Sequence, residues 1–511
     1  MKKFILLLII LLLGLGLRVY KLDTRPIGFT WDEAALGYNA YSLLKTGRDE
    51  YDKVLPVVLK SFGDYKPGLY TYFTIPVIKF FGLNEFATRL PSAIFGSLLI
   101  LVIYLFSKNH FAALLLAINP WAILFSRGAW ETNLSLFLTA LAAVLFIKKR
   151  FWLSALFFGL TLLTYQGAKM FTPLIMLSLF LIYRPNIKSL IKPLILLITL
   201  ITPIILGFSS QSGRLKVYSV FSYTRSIQSL PFDYKLSIFH AEIIDQTRGI
   251  IQRYTNYFSP KFLFFAGDWT NFRQSIPYYG YFHIPEIFTI LIGLIILLRT
   301  NNQQTKLLGA WLILAPLPAA LSRDLISGVR SLPMVFPLVI ISGMGLEKIT
   351  RHKLLLLFYS STLVFFSMYY LDQYYTHAPI YGAPDMLYGY RQAWEEVAKQ
   401  QSNYNKVVFS DKMGQPYIFG LFYLKIDPQK VQEELTLKNS QVGDVGQVIS
   451  FDKYEFRPIY WPSDRGLSST LFVGNQYELP ETDLQSTKNL KRISEINYPD
   501  GTSDLRIVGL P

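Results

Sequence analysis

The strongest constraint on this chain is the recurrence of apolar runs long enough to cross a bilayer, separated by short basic clusters. Such runs occur near residues 88–107, 110–126, 132–147, 151–165, 170–183, 190–208, 284–299, 307–321, 332–347 and 354–371. The opening stretch "MKKFILLLIILLLGLGLRVYKL" has an uninterrupted apolar core only from Phe4 to Leu17, as short as a signal-peptide core. No small-residue cleavage site follows it, and a helix carried through to Leu22 spans if Arg18 and Lys21 snorkel to the interface. It reads as an uncleaved first span, the first of eleven. With 51% hydrophobic residues over 511 positions, most of the chain is not a soluble globule.

The net charge of +16 is a topology signal, because the basic residues sit between apolar runs rather than along one polar face as a nucleic-acid partner requires. With a cytoplasmic N-terminus, the inside loops carry Lys108, then Lys148, Lys149 and Arg150, then Arg184, Lys188 and Lys192, then Arg299 and Lys306, then Lys348, Arg351 and Lys353. Every inside loop then obeys the positive-inside rule; the expected location is the plasma (inner) membrane. An odd number of spans leaves the C-terminus outside. The expected fold is a polytopic α-helical membrane domain, residues 1–371, with outer segments 23–87 and 209–283 and with interfacial helices in the first of these. A small extracytoplasmic α/β domain follows over 372–511, read from strand-like "NKVVFSD", "STLFVG" and "DLRIVGL" around a helical "YRQAWEEVAKQQ". The absence of cysteine excludes disulfides, thiolate metal sites and cysteine nucleophiles.

Chemistry concentrates at the outer ends of the spans. In "GFTWDEAALGYNAY" two carboxylates, Asp32 and Glu33, stand side by side. Thr30 is a good N-cap, Glu33 lies three residues on as in a capping box, and Gly47 is placed to end the helix. Adjacent helical residues point about 100° apart, so the two acids should not share one role. Glu33 has a capping task available; Asp32 either complements the helix dipole or acts as a base. Lys66, Arg127, Glu131, Lys169, Asp324 and Arg330 also lie at outer span ends. Each cation could simply snorkel, yet several against the inside bias expect an anionic ligand on that face. His283 in "YGYFHIPEIF" is open between an interface residue and a catalytic one. No metal triad, phosphate-binding glycine loop or nucleophile elbow is present.

A carboxylate base beside cations at a membrane surface suits transfer of a group from a lipid phosphate: the base takes a proton from an acceptor hydroxyl and the cations stabilise the departing phosphate. For a sugar donor, a single displacement inverts the anomeric centre. Two linked stretches, "WDEAALGYNAYSLLKTG" and "GDYKPGLYTYFTIPVIKFFGLNEFATRLPSAIFGSLL", resemble the first outer loop and second span of GT-C superfamily glycosyltransferases. The branch is the protein-mannosyltransferase-like one, with dolichyl-phosphate-mannose-protein mannosyltransferases and the lipid A aminoarabinose transferase. The similarity continues in "NPWAILFSRGAWETNLSLFLTALA", "NYFSPKFLFFAGDWTN" and "YIFGLFYLKIDP".

That resemblance implies a polyprenyl-phosphate-sugar donor, an extracytoplasmic protein, lipid or glycan acceptor, Asp32 as the catalytic acid with Glu33 beside it, and Lys66 on the lipid phosphate. It places Glu131 at a position for acceptor or metal contact, with a divalent metal possible, and Lys169 at a second phosphate-holding position. Arg330 is a further candidate for the phosphate, and Arg127 and His283 for positioning the acceptor. Gly68 departs from the pattern, since many relatives have a second proline there. The rival reading is a transporter or flippase of lipid-linked sugars; the mid-span sections carry almost no charge, and no convincing repeat appears. An oligosaccharyltransferase would carry a "WWD" motif, which this sequence lacks.

Overall fold

The computed structural model describes residues 2–62, 64–207, 242–438 and 447–511. Residues 209–241 of the expected second outer segment, 209–283, therefore lie outside the described residues. The chain divides into two compact units.

The first unit comprises residues 1–20, 92–126 and 130–373 and is helical. Its chain begins with α1 (Lys2–Val19). The N-terminal part of the second unit supplies α2 (Trp31–Thr46), the antiparallel hairpin β1–β2 (Val58–Ser61 and Asp64–Pro67) and α3 (Leu69–Phe81). Helix α4 (Glu85–Ser107) starts in the second unit and continues in the first, followed there by α5 (His110–Ile118), α6 (Pro120–Ser126), α7 (Glu131–Ile147), α8 (Phe151–Leu162), α9 (Ala168–Tyr183) and α10 (Ile191–Leu206). Helices Glu286–Arg299, Gln303–Leu314, Val335–Ile349 and Lys353–Asp372 complete the apolar set.

Each apolar run of the sequence is thus largely helical. Among the described residues, Glu85–Ser107, Gly328–Ile349 and Lys353–Tyr381 are by themselves long and apolar enough to cross a bilayer, and α6 with α7, bent by 117°, qualifies as a fourth. The run 110–126 is not one straight helix. Asn119 interrupts it, and Pro120, which cannot donate to the preceding turn, opens α6.

Arg18 corrects an expectation. Rather than snorkelling, it is fully buried and donates to the carbonyls of Leu116 and Ala117 (both 3.0 Å) and to Ser126 Oγ (3.2 Å). The end of α5 leaves carbonyls without helical partners, and a guanidinium satisfies them while complementing the negative end of the helix dipole. Elsewhere, helices 286–299 and 335–349 approach closely through glycines: a Cβ on Gly293 would lie 1.9 Å from the Ile341 carbonyl oxygen, and one on Gly345 1.9 Å from that of Thr289.

The second unit comprises residues 21–91, 127–129 and 374–511. Its seven-stranded mixed sheet contains β3 (Lys406–Phe409), β4 (Thr436–Lys438), β5 (Gln447–Phe451), β6 (Tyr454–Phe456), β7 (Thr470–Gly474), β8 (Lys491–Asn497) and β9 (Ser503–Leu510), in the order β4-β5-β6-β3-β7-β9-β8. The central strand β3 runs parallel to both β6 and β7, and its Val407, Val408 and Phe409 are buried on both faces, as a covered parallel strand requires. One face carries helix Gly389–Gln400, whose Trp394 ring lies 4.9 Å from Phe409.

The same core takes in α2. Gly37 fits against the Phe422 ring, where an added Cβ would come within 2.7 Å of a ring carbon, and the Tyr38 hydroxyl donates to the Ile426 carbonyl at 3.0 Å. The helix bearing the paired acids is therefore anchored to the C-terminal sheet domain by apolar burial, the dominant favourable term in such packing.

Candidate active site

The start of α2 is built as its sequence dictates. Thr30, in extended conformation, caps the helix: its hydroxyl accepts from Glu33 N at 3.3 Å, and Glu33 Oε2 accepts from Thr30 N at 3.1 Å. Gly47 closes the other end in the left-handed region, with φ of 69°.

The two acids then separate in role. Glu33 is buried and every oxygen is engaged: Oε1 accepts from Arg89 Nε at 2.9 Å and from Ala129 N at 3.0 Å, while Oε2 receives Arg89 Nη2 at 3.3 Å besides its cap bond. Arg89, fully buried on α4, also donates to the carbonyls of Leu22 and Pro26 (3.3 Å each) and to that of Gly28. It ties the segment entering α2 to the ion pair, and its contact with the Phe29 ring (5.2 Å) fills the remaining face. Asp32, by contrast, keeps 40% of its side-chain surface exposed and forms an ion pair with Lys66 on β2. Lys66 is 12% exposed and lies 4.9 Å from the Phe62 ring centroid. The hairpin presents it, with Lys66 paired in register to Leu59.

A second buried acid stands behind this pair. Glu50 is fully buried; its Oε1 accepts from Asn39 Nδ2 at 3.2 Å, its own N donates to Asn39 Oδ1 at 3.0 Å, and Oε2 has no hydrogen-bond partner among the described residues. Burial pushes its carboxyl up to about 8, against the opposing pull of the Asn39 hydrogen bond and of Lys66 and Lys60. Between about 4.5 and about 8 the unfolded chain releases this proton while the folded chain keeps it, so folding stability falls as pH rises through that window. Glu50→Gln, which preserves an acceptor for Asn39, should flatten that part of the pH dependence. Melting temperatures of wild type and variant from pH 5 to pH 8 check this; parallel curves would contradict it.

Arg127 belongs to the same unit. It is fully buried at the bend between α6 and α7, donates to the Tyr374 hydroxyl at 2.9 Å and to the Lys21 and Arg25 carbonyls, and faces the Tyr374 and Tyr375 rings. These contacts give it a structural task.

Glu131, Lys169, His283 and Arg330 belong to the first unit. Glu131 opens α7 and Lys169 lies in the first turn of α9, both partly buried. Arg330 forms an ion pair with Asp324 and reaches Ser322 Oγ at 3.4 Å. His283 is fully enclosed rather than at an interface, with Nδ1 2.7 Å from the Tyr279 hydroxyl and Nε2 3.0 Å from the Ile118 carbonyl. Among the described residues no group of three or more His, Asp or Glu is arranged to hold a metal ion.

Sequence reasoning missed Arg89 and Glu50. Arg89 stands in the quoted "RLPSA" at the start of an apolar run, where an arginine reads as a snorkelling residue. Nothing local signals that Glu33 meets it.

No protein-family model and no curated protein matches the sequence. Solved structures do. Apo ArnT from Cupriavidus metallidurans, a lipid A aminoarabinose transferase, superposes with a TM-score of 0.59 at 12% identity, covering 99% of this chain and 98% of that one. The chain has the GT-C fold. The same ArnT bound to undecaprenyl phosphate matches at a TM-score of 0.54 and 12% identity over 98% and 97% of the two chains. The archaeal oligosaccharyltransferase AglB from Archaeoglobus fulgidus, in complex with an inhibitory peptide and a dolichol-phosphate, matches at 0.49 and 13% identity over 82% and 63%. The GT-C fold here combines apolar helices with a C-terminal sheet domain.

Proposed function

We propose that this protein is an inverting membrane glycosyltransferase that moves a sugar from a polyprenyl-phosphate donor to an extracytoplasmic acceptor hydroxyl. The observation that carries this reading is the division between the two acids, one sealed into a buried ion pair and one half-open beside a lysine. In the reaction Asp32 takes the acceptor proton, the acceptor oxygen bonds to the anomeric carbon, and the bond from that carbon to the phosphate oxygen breaks. Polyprenyl phosphate leaves as an anion, its charge met by Lys66. The undecaprenyl phosphate held by ArnT supports this donor class.

The Asp32–Lys66 ion pair adds an order of events: the donor phosphate takes Lys66 from Asp32 before Asp32 accepts the acceptor proton. The membrane part is assigned eleven crossings over residues 1–371, with a cytoplasmic N-terminus and residues 372–511 outside, in a plasma membrane.

Lys66→Met tests the clamp. It should weaken undecaprenyl-phosphate binding by about tenfold or more, the loss expected when one charge-assisted contact worth 1.5–3 kcal/mol goes. Competition for a photoactivatable polyprenyl phosphate measures it; unchanged affinity would remove Lys66 from the donor site.

A further inference from the structure

The second unit contains a cavity of about 510 Å³ that Asp32 does not line. Its size falls in the range of small-molecule sites, about 300–1,000 Å³. Its wall joins the start of α4 to helix Gly389–Gln400 and to the end of helix Pro416–Tyr423. Glu85 accepts from the Tyr423 hydroxyl at 2.6 Å and faces Arg391 Nη1 at 3.6 Å; Arg391 Nε donates to Glu395 at 2.9 Å. Phe86 and Tyr423 add aromatic surface among these polar groups.

We infer that this cavity is a saccharide-binding subsite, and, on the proposed glycosyltransferase reading, the one that holds a glycan acceptor near the base. Sugar rings offer apolar C–H faces and a rim of hydroxyls that both donate and accept. Aromatic surface covers the faces; carboxylates accept and a guanidinium donates at the rim. The charge pattern disfavours an anion: three carboxylates, Asp23, Glu85 and Glu395, line the cavity against two cations, Arg391 and Lys425. A wholly apolar ligand would leave these polar groups desolvated without partners, which is costly. The link to the reaction centre is short: Glu85 stands one turn before Arg89 on α4, and Arg89 holds Glu33, the neighbour of Asp32.

The test titrates the full chain in nanodiscs with maltose, chitobiose and mannobiose, following saturation-transfer NMR. It uses Asp32→Asn protein as well as wild type, so that binding is read without turnover. At least one disaccharide should bind saturably, and Arg391→Ala and Glu395→Ala, at side chains about half exposed and tolerant of change, should each weaken it by about tenfold. No saturable binding, equal affinity in the variants, or binding of inorganic phosphate or phosphatidylglycerol vesicles in place of sugar would overturn the subsite. A protein that binds sugar through these residues yet transfers none would sink the glycosyltransferase reading and leave the subsite standing.

Discussion

Asp32→Asn is expected to lower sugar transfer by about 10²–10⁴-fold, the range that a positioned general base supplies, while the protein stays folded. Asparagine matches the shape of aspartate at a position that is 40% exposed and keeps an acceptor oxygen for Lys66. The helix cap is untouched, because Thr30 and Glu33 make it. What disappears is the group that accepts the acceptor proton. Initial rates with matched melting curves check this, and a folded Asp32→Asn protein that retains near wild-type transfer would remove Asp32 from the chemistry.

Glu33 and Arg89 should fail for a different reason. Glu33→Gln leaves the Arg89 guanidinium buried without its counter-charge, and Arg89→Met leaves the Glu33 carboxylate in the same position. Removing one member of a buried ion pair costs about 3–5 kcal/mol, whereas replacing both with groups of similar volume is often close to neutral. Each single variant should therefore unfold at markedly lower temperature, and the double variant should recover a large part of the loss, with a coupling of about 0.5–3 kcal/mol. Denaturation of the four proteins in one detergent measures the cycle. Strict additivity would show that the pair is not a unit. From the sequence alone, a capping Glu33 looks tolerant of glutamine; the ion pair with Arg89 changes that expectation.

Much of this architecture was legible because its signals are local. The capping box at Thr30 and Glu33, the glycine stop at Gly47 and the strands at 406–409, 470–474 and 503–510 each follow from a few neighbouring residues. The exposed Phe80 of α3, on a different face from buried Tyr70, Thr74 and Ile78, follows from helical periodicity. Other features depend on partners distant in sequence. The four-residue strands of the hairpin are too short for an alternating pattern to stand out, and it is the fold that sets Lys66 against Asp32. The edge strands β4 and β8 carry exposed polar residues and are strands because β5 and β9 pair with them. Arg18 and Arg89 both sit near helix ends where snorkelling is the simpler reading; the carbonyls and the carboxylate that bury them arrive from other helices.

The central claim, that Asp32 drives displacement of a lipid phosphate, is tested most directly by presenting purified protein in nanodiscs with undecaprenyl-phosphate-linked sugars and an acceptor extract. The readout is release of undecaprenyl phosphate together with the anomeric configuration of the product. The account predicts release with inversion by wild type and none by Asp32→Asn. Retained configuration, or movement of the intact lipid-linked sugar across the bilayer without release, would contradict it.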